Sequence, residues 1–313
     1  MKRILFMVLT VVGVTAAWAK ETKVLIIGNS FSISVMRNWP QLAKASGTEL
    51  DAASMYIGGC SLARHWENVE KSSNPNFKPY EIWRNNAAGT KRFKSNIPQM
   101  LAADKWDFVT IQQASHESWK PETFHPCADK LIAKIKELAP QAEIVIQQTW
   151  AYSNLDKRIL PGGEWGFDQS GMYDRLTSSY SSLAKQFHLR MLPTGLAVQK
   201  FRKALPVTLV RPSDETLKAL VRPALPDMGG EAVGRFSWVR EKDKSDKLRE
   251  DTLHLNKSGE YLQALVWQAF FFGTDVTKTT YIPAHAGSKD RASLLQSCAA
   301  EAVKEAATAF DFR

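Results

Sequence analysis

The sequence predicts an α/β protein, a three-layer α/β/α sandwich around a parallel sheet of about five strands. Three observations carry the prediction. Short apolar runs rich in β-branched residues recur along the chain, segments with an apolar stripe at helical spacing separate them, and glycine closes several runs. A chain of 313 residues can bury one large core. Its 44% hydrophobic and 23% charged residues are the balance of a folded protein, not of a disordered one.

The chain opens with Lys2-Arg3, an apolar stretch from Leu5 to Val14 and the small-x-small site Ala17-Trp18-Ala19. This is the pattern of a secretory signal peptide, cleaved after Ala19. The apolar stretch falls short of the roughly 20 residues of a membrane-spanning helix. The expectation is a secreted or periplasmic protein, residues 20–313, with no stable membrane insertion after cleavage. An uncleaved anchor is the alternative.

Lys23–Gly28 is the first strand, short, β-branched and closed by glycine. A helical stretch follows to Ala45. Leu50–Ile57 is the second strand, ending at Gly58-Gly59; Trp106–Gln112 is the third, Glu143–Gln148 the fourth and Leu189–Leu192 the fifth. Between them, Leu131, Ile132, Ile135 and Leu138 share one helical face, and Met172, Leu176, Tyr180, Leu183 and Phe187 share another. Leu262, Leu265, Val266 and Ala269 form a later stripe with Gly273 as its stop, and Ser288–Arg313 reads as a terminal helix. Residues 153–170, and residues 203–250 with four prolines and a charge run from Arg240 to Arg249, break the alternation. They read as loop insertions in a single domain, and long loops in such folds shape sites. The charge run reads as a solvated face.

The net charge of +9 biases the protein toward anionic partners, acidic polysaccharide or envelope surfaces among them. Loss of Lys2 and Arg3 with the signal would lower it by two. The basic residues are dispersed, without a basic arm, so the pattern argues against nucleic acid. Of the three cysteines, Cys127 and Cys298 are the pair to test for a disulfide, and Cys60 reads as a small buried filler. No histidine or cysteine spacing matches a metal site.

Two segments carry chemistry. Gly28-Asn29-Ser30-Phe31-Ser32 directly follows the first strand. A serine there sits on a sharp turn at a helix amino end, whose N–H groups and dipole can stabilise an oxyanion. Taken alone, Ser30 or Ser32 reads equally well as a helix N-cap. The second segment is Asp251-Thr-Leu-His254, on a loop before the helix that starts near Gly259. A hydroxyl nucleophile needs a base, neutral imidazole suits the task, and a carboxylate on the far ring nitrogen fixes its tautomer. Alone, this pair reads equally well as a capping Asp beside a surface His.

Together the two segments resemble the SGNH (GDSL-like) hydrolases, from about Lys23 to Gly273. The first is similar to that family's Gly-Asp-Ser-Leu, with Asn29 and Phe31 substituted; the last matches its Asp-x-x-His. The resemblance implies a flavodoxin-like sheet, Ser30 as nucleophile, His254 as base and Asp251 as the residue that orients it. It places an oxyanion glycine after the second strand, Gly59 or else Gly58. Where the family has Gly-x-Asn-Asp, this chain reads Ala114-Ser-His116, so the usual amide donor is missing. A ring N–H of His116 or the amide of Gln113 would replace it; the alternative for His116 is a structural histidine. The chain then resembles a divergent, exported branch of the family.

Trp119 and Trp150 follow the third and fourth strands, and Tyr152 and Trp165 lie in or beside the first insertion. Aromatic faces there suit sugar rings, with core packing as the alternative. The reading is an exported serine esterase that needs no cofactor and removes acyl groups, acetyl first, from carbohydrates. A lipase or thioesterase, or a non-catalytic glycan-binding protein on the same fold, are its rivals.

Overall fold

In the structure, a computed structural model describing residues 20–310, the apolar runs become the interior of a sheet. Strand β1 (Thr22–Gly28) has Val24, Leu25, Ile26 and Ile27 fully buried, so both its faces are covered. It pairs in parallel with β2 (Leu50–Tyr56) on one side and β5 (Phe108–Ile111) on the other. Beyond β5 follow β6 (Glu143–Gln147) and β7 (Arg190–Leu192), also parallel. All five predicted strands are present, with ends moved by one or two residues. The predicted signal segment lies outside the described residues. Among those described, no helix is long and apolar enough to cross a membrane.

The sheet is larger than predicted, and mixed. Strands β3 (Tyr80–Asn86) and β4 (Gly89–Ser95) form a hairpin that adds antiparallel to β2, giving seven strands in the order β4-β3-β2-β1-β5-β6-β7. This hairpin left little apolar signal because β4 is exposed along nearly its whole length. Lys91, Arg92 and Lys94 line that edge, where charge discourages pairing with another chain. Arg92 lies 3.6 Å over the ring of Trp83, its register partner.

The helices in chain order are α1 (Ser30–Ile33), α2 (Trp39–Ala45), α3 (Leu62–Lys71), α4 (Ile97–Ala102), α5 (Cys127–Leu138), α6 (Gln169–Phe187), α7 (Thr194–Ala204), α8 (Asp214–Ala219), α9 (Lys257–Phe272) and α10 (Lys289–Ala309). Helices α3, α4 and α5 pack together, and α2, α7, α9 and α10 pack together, which makes the two outer layers. The predicted stripes face inward: Leu131, Ile132 and Ile135 on α5, Met172, Leu176, Tyr180 and Leu183 on α6, and Leu262, Leu265 and Val266 on α9 are buried. Gly273 ends α9 in the left-handed conformation at φ +63°. Cys127 and Cys298 start α5 and sit within α10, on opposite layers. All three cysteines are free, and Cys60 is buried as expected. The sheet stands between the proposed partners, which corrects the pairing.

The second predicted insertion is not a loop throughout. It holds α8 and a separate antiparallel pair, β8 (Val233–Arg240) and β9 (Asp246–Leu255). Its inner side closes a small satellite core of Leu155, Leu209 and Phe236, and its outer side is charged and exposed. Leu155 comes from the first insertion, so the two excursions pack on each other. Asp251 and His254 therefore lie on β9, not on a loop. The register between β8 and β9 slips between Val233 and Arg235, so β9 bulges just where these two residues sit. Gly234 makes that bulge possible. Its φ is +89°, and a Cβ there would fall 3.1 Å from Asp251 O.

Candidate active site

Helix α1 begins where β1 ends, beside the point at which the chain leaves β1 for β2 and later returns to β5. In open α/β sheets that crevice is the place for a site. Asn29 caps α1: its Oδ1 accepts from Phe31 N–H at 3.0 Å. Ser30 is the first helical residue, where a backbone N–H has no partner within the helix. Ser32, the other candidate, is fully buried and donates to Gln147 Oε1 at 2.8 Å. It props the turn from below. Gly28 is required by that prop, because a Cβ at residue 28 would meet Ser32 Oγ at 2.0 Å. The glycine thus serves close approach.

Ser30 Oγ lies 2.9 Å from His254 Nε2. On the other side of the ring, His254 Nδ1 is 3.1 Å from each oxygen of Asp251. The residues meet although 224 positions separate serine and histidine. The bulge in β9 lets Asp251 fold back on its own strand, and its Oδ1 also accepts from Leu253 N–H at 3.2 Å and His254 N–H at 3.1 Å. Burial alone would raise the Asp251 carboxyl. The bonds from the His254 ring and from the two backbone N–H groups outweigh that and hold it well below the usual carboxylate range. Arg235 stands 3.3 Å from the same carboxylate.

A packed wall fixes the histidine. Phe31 stacks on Trp150 with centroids 4.2 Å apart and touches the His254 ring at 5.5 Å. The indole N–H of Trp150 donates to Leu253 O at 2.8 Å. Ser153 N–H donates to Thr252 O at 3.0 Å, and Thr252 Oγ1 donates to Asp156 at 2.6 Å. The start of the first insertion is thereby bound to the end of β9. Trp150 is completely buried, so it orders the site from behind and offers no face to a sugar. Trp119 is half-buried and packs on Trp165 and Phe167 at 5.1 and 4.9 Å, in a cluster that reaches Tyr152.

The predicted oxyanion residues part company. Cys60 N–H bonds Ile57 O at 3.3 Å, closing a turn over Ile57-Gly58-Gly59-Cys60 with Gly59 at φ +61°. Such a turn needs glycine at its third position and leaves its two central N–H groups, those of Gly58 and Gly59, unused by the turn. Both glycines are exposed. Gln113 is fully buried and its amide is committed: Oε1 accepts from Leu62 N–H at 2.9 Å and Ala114 N–H at 2.8 Å, and Nε2 donates to Thr123 O at 2.9 Å and Thr123 Oγ1 at 3.1 Å. It holds loops together and has no donor to spare, which corrects the expectation for it. The His116 ring is 53% exposed, with Nε2 3.8 Å from Glu117 Oε1. Among the described residues no contact joins it to Ser30 or His254.

Asn29 does more than the sequence indicated. Its Nδ2 donates to Cys60 O at 3.0 Å, and its Oδ1 accepts from Gln112 Nε2 at 2.6 Å as well as from Phe31 N–H. One amide therefore ties the ends of β1, β2 and β5. Behind the Cys60 turn, His65 Nδ1 lies 2.8 Å from Tyr80 OH and 3.6 Å from Cys60 Sγ. Burial keeps His65 neutral, pushed down to about 3.

No curated protein matches the chain in sequence. A DUF4886 family protein from Bacteroides uniformis ATCC 8492, solved by crystallography, is similar in fold. The identity is 24%, the match covers 91% of this chain and 95% of that one, and the TM-score is 0.72. More remote is a structure provisionally assigned as an SGNH hydrolase, from Slackia heliotrinireducens, at 17% identity over 79% of this chain and 97% of that one, TM-score 0.45. Another, provisionally assigned as a GDSL-like lipase, from Parabacteroides merdae ATCC 43184, has 14% identity over 80% and 95%, TM-score 0.41. The model of a family described as a domain of unknown function, DUF4886, matches residues 23–207, a span that includes Ser30 and stops before Asp251. The chain belongs to the DUF4886 family.

Proposed function

We propose that this protein is a serine acyl hydrolase in which Ser30, His254 and Asp251 act as nucleophile, base and orienting carboxylate. One observation carries the reading: Ser30 Oγ stands 2.9 Å from His254 Nε2 while Asp251 accepts from the opposite ring nitrogen at 3.1 Å. With its proton on Nδ1, the imidazole leaves the Nε2 lone pair free to accept the Ser30 O–H. Ser30 Oγ attacks the acyl carbon as His254 takes its proton. The developing oxyanion is held by the N–H groups of Ser30 and Gly59, and loss of one such donor typically costs about 3–4 kcal/mol of barrier. His254 returns the proton to the departing alcohol. Water then repeats the sequence on the acyl-enzyme.

The substrate we propose is an acetylated carbohydrate outside the cytoplasm. The half-buried Trp119 with Trp165 and Phe167 supports an aromatic surface on the loops after β5 and β6, and the net charge of +9, less two for Lys2 and Arg3, supports an anionic polymer. The test is hydrolysis of p-nitrophenyl acetate, of longer-chain p-nitrophenyl esters and of acetylated polysaccharide by residues 20–313 and by Ser30→Ala. Acetate release that is lost in the variant is expected. Turnover unchanged in Ser30→Ala removes the nucleophile, and activity that rises with chain length moves the substrate to lipid esters.

A further inference from the structure

We infer that Asn29 is a positioning residue that sets the Gly58-Gly59 turn as the second half of the oxyanion hole; the inference rests on the serine-hydrolase reading. The turn follows β2 and the nucleophile follows β1, so the relative placement of their N–H groups is not fixed by either strand alone. Asn29 Nδ2, donating 3.0 Å to Cys60 O, is a direct side-chain bond between the nucleophile turn and the glycine turn. The amide is 2% exposed and its oxygen already serves two N–H donors, from Phe31 and Gln112. A carboxylate at this position would set a charged oxygen against the Cys60 carbonyl, with no proton to bridge them. The partner is an acceptor, so the residue must be a donor. The resembling family carries Asp at the matching position, and here the chemistry of the neighbour calls for Asn.

The same turn is gripped from its far side, where Leu62 N–H reaches Gln113 Oε1 at 2.9 Å. The two attachments differ in consequence. Gln113 anchors the start of α3, whereas Asn29 holds the carbonyl immediately after Gly59. If the Asn29 bond is lost, the peptide groups of Gly58 and Gly59 are held only by the Cys60 N–H bond to Ile57 O and the anchor at Leu62, and glycines rotate readily under so few restraints. The N–H that must meet the oxyanion is then no longer preorganised.

A double-mutant cycle tests this. Asn29→Ser keeps a side-chain oxygen to cap Phe31 N–H and removes the donor to Cys60. Gly59→Ala disturbs the turn directly. Each is expected to lower kcat for p-nitrophenyl acetate by about 10²-fold with KM within a few-fold, and the double variant is expected to fall no further than the worse single one. A purely structural role would lower the melting temperature without that split between kcat and KM. Should Asn29→Ser fail to fold, the isosteric Asn29→Asp, which keeps both accepted bonds, serves in its place with the same expectation. Losses that multiply in the double variant, or a kcat that the Asn29 variants leave unchanged, overturn the inference while the nucleophile stands. Absence of turnover in the wild type, or turnover indifferent to Ser30→Ala, overturns both together.

Discussion

Replacing Asp251 with Asn should reduce turnover far more than the loss of one hydrogen bond would suggest. The carboxylate has two kinds of partner. Its Oδ1 accepts from the backbone N–H groups of Leu253 and His254 at 3.2 and 3.1 Å, and both oxygens face His254 Nδ1 at 3.1 Å. In Asp251→Asn the carbonyl oxygen stays with the two backbone donors, because no other acceptor in the bulge serves them. The NH₂ group then falls at the place of Oδ2, 3.1 Å from Nδ1 and 3.3 Å from Arg235 Nη2. A donor facing Nδ1 drives the ring proton to Nε2, which becomes a donor toward Ser30 and can no longer accept its proton. The expected loss is that of a wrong tautomer, about 10⁴-fold in kcat, equivalent to about 5.4 kcal/mol of barrier. The assay is kcat and kcat/KM for p-nitrophenyl acetate at neutral pH, with a thermal melt to show that the fold is kept. A variant within tenfold of the wild type would refute the role given to Asp251.

Gly28→Ala places a methyl group 2.0 Å from Ser32 Oγ, which is itself bonded to Gln147. It should lower stability in urea by about 1–3 kcal/mol and reduce kcat, since the Ser30 turn must shift; an unchanged urea midpoint would count against the prop beneath that turn. Acid should reveal the Asp251 bonds in stability as well. Its native carboxyl is held below the ordinary value of about 3.9, so its contribution is complete above about pH 4 and is lost as pH falls from there through the lower native value. Below pH 4 the melting temperature of the wild type should therefore drop more steeply than that of Asp251→Asn, and parallel curves would contradict it.

The five parallel strands were legible because most of their residues are buried and apolar, as Val24 to Ile27 are, even where a strand such as β2 carries Asp51 and Ser54. The hairpins β3–β4 and β8–β9 were not, because water covers one face of each. A strand reading Gly-Thr-Lys-Arg-Phe-Lys-Ser resembles a polar loop until its partner is known. The serine and the Asp-x-x-His pair stood out through their positions relative to the sheet and the last long helices. Residues that act through a distant backbone group were misread. Trp150 looked like a rim aromatic, yet its indole N–H belongs to Leu253 O, 103 residues away. Gln113 looked like a spare amide, yet the start of α3 consumes its oxygen. Asn29 looked like a substitution, and only the carbonyl of Cys60 gives its amide a purpose.

His254 and Asp251, the proposed base and its carboxylate, sit on an appended hairpin, outside the seven-stranded sheet that presents the serine. The last strand of that sheet ends at Leu192, more than fifty residues before His254 is made. A chain emerging from the ribosome, or threading through a membrane, has thus produced every strand of the central sheet while the hydroxyl still lacks its proposed base. Long-range closures of this kind form late. Reactivity would arrive only with the final fifth of the polypeptide, which also brings α9 and α10 of one outer layer, so a product truncated before His254 would lack both the proposed base and the cover of one face of the sheet.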